Sequence, residues 1–308
     1  MDSHFHLNYL ENVDEKLKNA LHSQVFAGIA AGVWNADTLQ NIQYYQDSNL
    51  NSILEFLKKD QIKLAKNNSY QLNSNKFSCF LAHGLHPIKV HENWLRDDGS
   101  EDVEKIGNDI AQFHEILLNN RDLIWAIGET GFDLSNEVIQ HKKCKGISKT
   151  QLFELQNIAF ETCINSAIKH DLPVILHLRA PWDLCIQKLK WAKKMGLKNM
   201  MIHCYSGPAE DMNLMSELSI YCSFGGVPTW EKAVHNRNAF IKCQSNLRML
   251  ETDSPDLPPE IPGIGRLKSN EPANLRQIIK ILAPYLEISD EELISTSNEN
   301  ILKFLGIH

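Results

Sequence analysis

Seven cysteines are spread through the chain, an odd number, and no two of them form a Cys-x-x-Cys pair. That argues against a zinc knuckle and against a disulfide framework. A reducing cytosol is the compartment expected, so the chain reads as cytoplasmic. No run approaches about 18 consecutive apolar residues, and no membrane span is expected. Residues 1–30 show no basic region followed by an apolar core, so no secretory signal is read there. Excess positive charge is missing too: 31 Lys and Arg face 38 Asp and Glu, for a net charge of −7, and the pI is about 6.0. This excludes a protein that coats nucleic acid through a broad basic face. It does not exclude an enzyme that meets phosphate through bound cations, because the ions bring their own charge. There is no internal repeat and no low-complexity tract.

What is present is a chain of 308 residues, 43% hydrophobic and 22% charged, the composition of a globular protein with a full-sized core. The length suits either two ordinary domains or one α/β barrel of about 250 residues or more. Apolar stretches of strand length decide for the barrel. They are Met1–Leu7, Val25–Val33, Phe77–Leu85, Leu123–Ile127, Leu172–Leu178, Asn199–His203, Leu218–Phe224 and Leu247–Leu250. Several are continuous apolar runs, as in strands buried on both faces of a parallel sheet. Helical spacing fills the gaps. Leu152, Leu155, Ile158, Ala159, Cys163 and Ile164 recur in 151–169, and Leu275, Ile278, Ile279, Leu282 and Leu286 recur in 275–286. The expectation is a single (β/α)8 TIM barrel over residues 1–308, with its site at the C-terminal face of the strands. Residues 58–76 end in an Asn-rich stretch read as a loop. Residues 133–150, rich in lysine, are read as a loop that either covers the site or is merely solvated.

The apolar runs end in groups with ligand chemistry. His4 and His6 are two apart, so a strand turns both imidazoles to one face, and imidazole is the commonest metal ligand near neutral pH. Glu129, His177, His203 and Asp253 each lie at or just past the end of a predicted strand, where barrel enzymes build their sites. Such mixed imidazole and carboxylate donors are enough for two divalent ions, with zinc, manganese, magnesium or cobalt as the candidates.

Seven segments in order carry a resemblance: Asp2-Ser3-His4-Phe5-His6-Leu7, Gly84-Leu85-His86-Pro87, Ala126 to Asp133, His177-Leu178-Arg179, His203 to Gly207, Leu250 to Pro255, and Asn270-Glu271-Pro272. Together they resemble the TatD-like metal-dependent deoxyribonucleases of the amidohydrolase superfamily. The resemblance implies that His4, His6 and Asp253 hold one metal, that His177 and His203 hold the second, and that Glu129 bridges both. It implies a two-metal hydrolase that cleaves phosphodiester bonds as a 3′-end exonuclease on DNA. Asp253 would then double as general base. The expected partner is a DNA end, without a membrane, for a monomeric enzyme.

Other residues keep two readings. Arg179 offers bidentate contact to phosphate or a salt bridge at the rim. His86, held extended by Pro87, contacts substrate or supports the site. Tyr205 and Ser206 are placed along the substrate pocket. Trp230 stacks on a base or packs. Glu251, on the same strand face as Asp253, is left out of the ligand set as an acceptor that orients a histidine. Lys142, Lys143 and Lys145 are candidate DNA contacts. A small-molecule amidohydrolase using the same dinuclear centre on an amide, lactone or phosphoester is the competing function, because such a centre serves carbonyl and phosphoryl chemistry alike.

Overall fold

A computed structural model describes residues 1–48 and 76–307. Nearly all of the stretch 58–76 thus lies outside the described residues. The eight principal strands are β1 (Asp2–Phe5), β2 (Ala27–Ala30), β3 (Ser78–His83), β4 (Ile124–Asp133), β5 (Val174–Arg179), β6 (Met200–Ile202), β7 (Tyr221–Phe224) and β8 (Arg248–Leu250). They stand in sheet order from β1 to β8, with helices between successive strands. This is the (β/α)8 architecture, and every predicted strand overlaps an observed one. The chain forms two compact units. One is Met1–Ala30, Gln43–Phe80 and His203–His308; the other is Ala31–Ile42 and Leu81–Ile202.

In the first unit β1 pairs in parallel with β2, and β7 with β8. All four residues of β1 and all four of β2 are buried. Its core stacks aromatic edges on faces: Phe5 against Phe77 at 6.0 Å, and Phe224 against Phe240 at 5.4 Å. The Leu275–Leu282 helix turns Leu275, Ile278, Ile279 and Leu282 inward. The helical spacing had extended to Leu286, but Ala283–Leu286 is a 3-10 turn. Pro284 has no N–H to continue the ladder.

In the second unit β4 pairs with the end of β3 and with β5, and β5 with β6, all in parallel. Phe132 lies between Phe153 at 4.3 Å and Phe160 at 4.9 Å. Both partners belong to the Lys149–His170 helix, which starts at a capping box. The Ser148 hydroxyl accepts from the Gln151 N–H, and the Gln151 side-chain oxygen accepts from the Ser148 N–H. Leu152, Leu155, Ala159, Cys163 and Ile164 are buried as the spacing predicted, but Ile158 is exposed. It sits beside Leu155 and Ala159 in sequence terms yet rotates off their stripe, since a 3.6-residue turn cannot hold every apolar position on one face. The stretch 133–150 is also more ordered than a loop. It opens with the last residue of β4 and contains a short helix, Asn136–Ile139, and a 3-10 turn, Lys142–Cys144.

His83 shows how this unit tolerates buried polar groups. Its Nε2 is 3.1 Å from the Phe113 carbonyl oxygen and its Nδ1 is 2.9 Å from the Thr38 hydroxyl. A carbonyl only accepts, so Nε2 carries the proton and Nδ1 accepts from Thr38. Burial lowers the His83 pKa to about 4. The unfolded chain binds a proton there below about 6.5, the native chain only below about 4. Stability from this residue is therefore full above pH 6.5 and falls as pH drops towards 4. Urea unfolding across this window should show wild type losing about 3 kcal/mol more than His83→Asn. Parallel pH profiles for the two proteins would refute a neutral, buried His83.

Candidate metal centre

In the first unit, β1 places Asp2 and His4 two residues apart on one face, with His6 just beyond the strand end. Asp2 and His4 are fully buried. The Asp2 carboxylate accepts from the Thr252 N–H at 2.9 Å and the Thr252 hydroxyl at 2.6 Å. Burial pushes the Asp2 pKa up to about 7, against the pull of those hydrogen bonds and with a small push from Glu251. Two backbone bonds close the same seam: the Asp253 N–H donates to the His4 carbonyl at 3.0 Å, and the His6 N–H donates to Ser254 at 2.8 Å. Asn270 donates to the carbonyls of Thr252 and Asp256, both at 2.6 Å. Asp253 can thus hold a left-handed φ of 57°, a region aspartate tolerates better than most residues.

This scaffold brings His4, His203 and Asp253 together, with one donor atom of each within 4.8 Å of the others. From Asp253 Oδ1, His4 Nε2 is 3.4 Å away, His6 Nε2 3.5 Å and His203 Nδ1 3.9 Å. These gaps exceed ordinary hydrogen bonds. They approach the separation of about 3.4 Å between two ligands that each bind one tetrahedral ion at about 2.1 Å. The donor set therefore fits a divalent metal. The Asp253 carboxyl is held below the ordinary range: burial opposes its ionisation, but the imidazoles of His4 and His6, then His203, outweigh burial. Glu251 is fully buried. Its Oε1 accepts from the Cys204 N–H at 2.7 Å and lies 3.7 Å from His203 Nδ1. It thus holds the turn that carries His203 by its backbone, where the sequence suggested a grip on the imidazole itself.

In the second unit, β4 carries an irregularity at the functional residue. Ile127 pairs with Val174 and Thr130 with Leu176, so β4 spends one residue more than β5. Such a bulge re-aims side chains, and Glu129 lies within it. Two glycines permit the crowding around it. A Cβ on Gly84 would lie 2.3 Å from the Glu129 carbonyl oxygen, and one on Gly131, at φ 142°, would lie 2.1 Å from the His177 carbonyl oxygen. Glu129 Oε1 is 3.5 Å from His86 Nε2 and 3.7 Å from His177 Nδ1. His86 uses its other nitrogen, Nδ1, to accept from the Ile88 N–H and so caps the Pro87–Trp94 helix. His86, Glu129 and His177 thus form a second group with metal-holding geometry, closer to Glu129 than the substrate role given to His86 required.

His177 is oriented by Asp133, whose Oδ2 is 2.9 Å from His177 Nε2. That bond leaves His177 Nδ1 on the Glu129 side. Burial alone would raise the Asp133 pKa, but the hydrogen bonds from His177 and Ser135 hold it below the ordinary range. Asp133 also caps the segment that follows it, as the Ser135 N–H bonds its Oδ1 at 2.8 Å.

The remaining candidates are less engaged. Arg179 is half exposed and lies 4.0 Å from Glu137. Ser206 is exposed. Tyr205 is buried, and its hydroxyl donates to the Pro208 carbonyl at 3.0 Å. Trp230 donates to the Pro258 carbonyl at 2.9 Å and carries the Arg266 guanidinium 3.5 Å over its ring, which favours packing. Lys143 donates to the carbonyls of Glu92 and Leu95, both at 2.7 Å; Lys142 and Lys145 are exposed. Glu271 pairs with Lys16 at 2.7 Å. Asp2 was not singled out from the sequence. The available signal was its position two residues before His4 on a strand.

Comparison with known proteins places the chain among its relatives. The family described as TatD related DNase matches residues 1–306. An uncharacterized metal-dependent hydrolase of Bacillus subtilis, YabD, is 27% identical over 74% of this chain and 78% of its own length. Another, from Buchnera aphidicola, is 27% identical over 97% of this chain and 96% of its own. The crystal structure of YJJV, a TatD homolog from Escherichia coli, superposes with a TM-score of 0.74 at 19% identity, over 100% of this chain and 98% of that one.

Asp133→Asn preserves shape but removes the charge that orients His177. Metal affinity measured by calorimetry should weaken roughly ten- to a hundredfold, the usual effect of losing such a partner, with little change in melting temperature. Unchanged affinity would show that His177 needs no such orientation.

Proposed function

The chain belongs to the TatD-related DNase family and is a metal-dependent hydrolase, and on that premise we propose that it cleaves phosphodiester bonds at the 3′ end of DNA. The reading assigns the metal donors to His4, His6, His203 and Asp253 in the first unit and to Glu129 and His177 in the second. The observation that carries it is the convergence of buried imidazole and carboxylate donors in each unit, at spacings an ion would bridge. When bound, divalent ions supply Lewis-acid charge and a more acidic water. Asp253, held ionised, accepts the proton of the attacking water at its carboxylate. Glu251 keeps the His203 turn in place, and Asp133 keeps His177 in one tautomer. Arg179 is the cation on the β5 end able to meet a phosphate with two parallel N–H groups. The acidic balance of the chain fits a substrate gripped at its end.

The test is hydrolysis of end-labelled single-stranded DNA, with and without chelator. Stepwise, chelator-sensitive shortening is expected, and Asp253→Asn should slow it by roughly 10²- to 10⁴-fold, the range for a lost general base. No cleavage with magnesium, manganese, cobalt or zinc, by a protein that still binds metal, would overturn the DNA reading in favour of a small-molecule substrate. Lys142 and Lys145 test the reach of the substrate. Lys142→Ala with Lys145→Ala should weaken DNA binding and its salt dependence, whereas Lys143 is engaged in tethering its own segment.

A further inference from the structure

A third donor cluster joins the Pro87–Trp94 helix to the segment that follows β4. His91 sits on the Pro87–Trp94 helix; His141 and Cys144 flank the Lys142–Cys144 turn. One donor atom of each lies within 4.8 Å of the others. The two imidazole rings meet edge to face at 4.6 Å. His91 is 2% exposed, and its Nδ1 is buried with no hydrogen-bond partner among the described residues. A buried, unbonded ring nitrogen normally carries a cost, and here it sits in a group of metal-binding atoms. His141 has its Nδ1 occupied by the Lys143 N–H at 3.4 Å, which leaves Nε2 for another partner. Cys144 is buried and reduced.

We propose that His91, His141 and Cys144 form a separate binding site for a zinc-class divalent ion, which clasps the 133–150 segment to the Pro87–Trp94 helix. The chemistry selects the ion. Two imidazoles and a thiolate suit zinc and exclude magnesium or calcium, which prefer oxygen. The spacing is also that of a metal clip: His141 and Cys144 are separated by two residues, as in C-x₂-C pairs, and the third donor comes from another element. Three protein donors leave a fourth position for water. Binding releases the Cys144 thiol proton to solvent, so affinity falls as pH falls. Burial, with a smaller contribution from His141, lowers the His91 pKa to about 4, so that imidazole is neutral when an ion arrives. Lys143 already tethers the turn to the end of the same helix through the Glu92 and Leu95 carbonyls. The clasp would fix two segments that carry site residues, since His86 caps the helix and Asp133 opens the clasped segment. It rests on no assumption about the substrate.

Cobalt(II) added to the full chain tests the site without any measurement of hydrolysis. A thiolate bound to cobalt gives a charge-transfer band in the near ultraviolet that imidazole and carboxylate donors do not give. The wild-type protein should show it. Cys144→Ser should lose the band and one equivalent of bound zinc, and His141→Ala, a milder change at a half-buried position, should lose or shift it. Cys204→Ser should keep it, which separates this cluster from the thiol beside His203. Circular dichroism confirms that each variant is folded. Absence of the band in folded, cobalt-saturated wild type, or its survival in Cys144→Ser, would overturn the site. Because the band requires a thiolate, which none of the donors assigned to the nuclease reading supplies, its failure and the failure of that reading are seen separately.

Discussion

Burying an imidazole or a carboxylate costs several kcal/mol unless the group finds a partner, and that constraint organises both units of the protein. His4, Asp2, Glu129 and Glu251 are all fully buried. Each unit offsets the cost with a different hydrogen-bonded frame. In the first, the frame is backbone and small side chains: Asp2 takes both polar hydrogens of Thr252, and Asn270 takes two carbonyls of the same loop. In the second it is side chain on side chain, Asp133 against His177. Both leave donor atoms facing one another at 3.4 to 3.9 Å, a separation that is poor for hydrogen bonding and suited to an ion between them.

The architecture was legible because its strands are buried on both faces. Continuous apolar runs such as Val174-Ile175-Leu176 can be little else when they recur between helical stripes. The donors were legible for a related reason: a polar residue closing such a run must do something there. Strand ends were less visible. The apolar run before Glu129 ends at Ile127, yet β4 continues through Gly128 and Gly131 to Asp133. These glycines do not end the strand. Gly131 lets the His177 backbone approach where a side chain would collide, and a close approach between strands leaves no trace in a local pattern.

Tertiary bonds explain the other departures. Tyr205 follows a ligand strand and was placed along the pocket, but the Pro208 carbonyl three residues on takes its hydroxyl. Glu251 was assigned to a histidine ring and serves a backbone N–H beside it. Lys143 was grouped with its neighbours as a surface cation, yet two carbonyls at the end of the Pro87–Trp94 helix hold it. In each case the partner came from a turn whose path no spacing rule supplies. His91, His141 and Cys144 were overlooked for the same reason. A Cys-x-x-Cys pattern would mark a cysteine pair, whereas this cluster draws one donor from a helix and two from a turn.

The 133–150 segment links a site residue to a neighbouring helix. At its start, Asp133 is tied to His177 and so belongs to the site. Ten residues later, Lys143 is tied to the end of the Pro87–Trp94 helix, whose first turn is capped by His86. A segment anchored at both places cannot change position without disturbing a site residue at one end or the helix at the other. Its exposed cations, Lys142 and Lys145, are therefore carried on a held stretch of backbone.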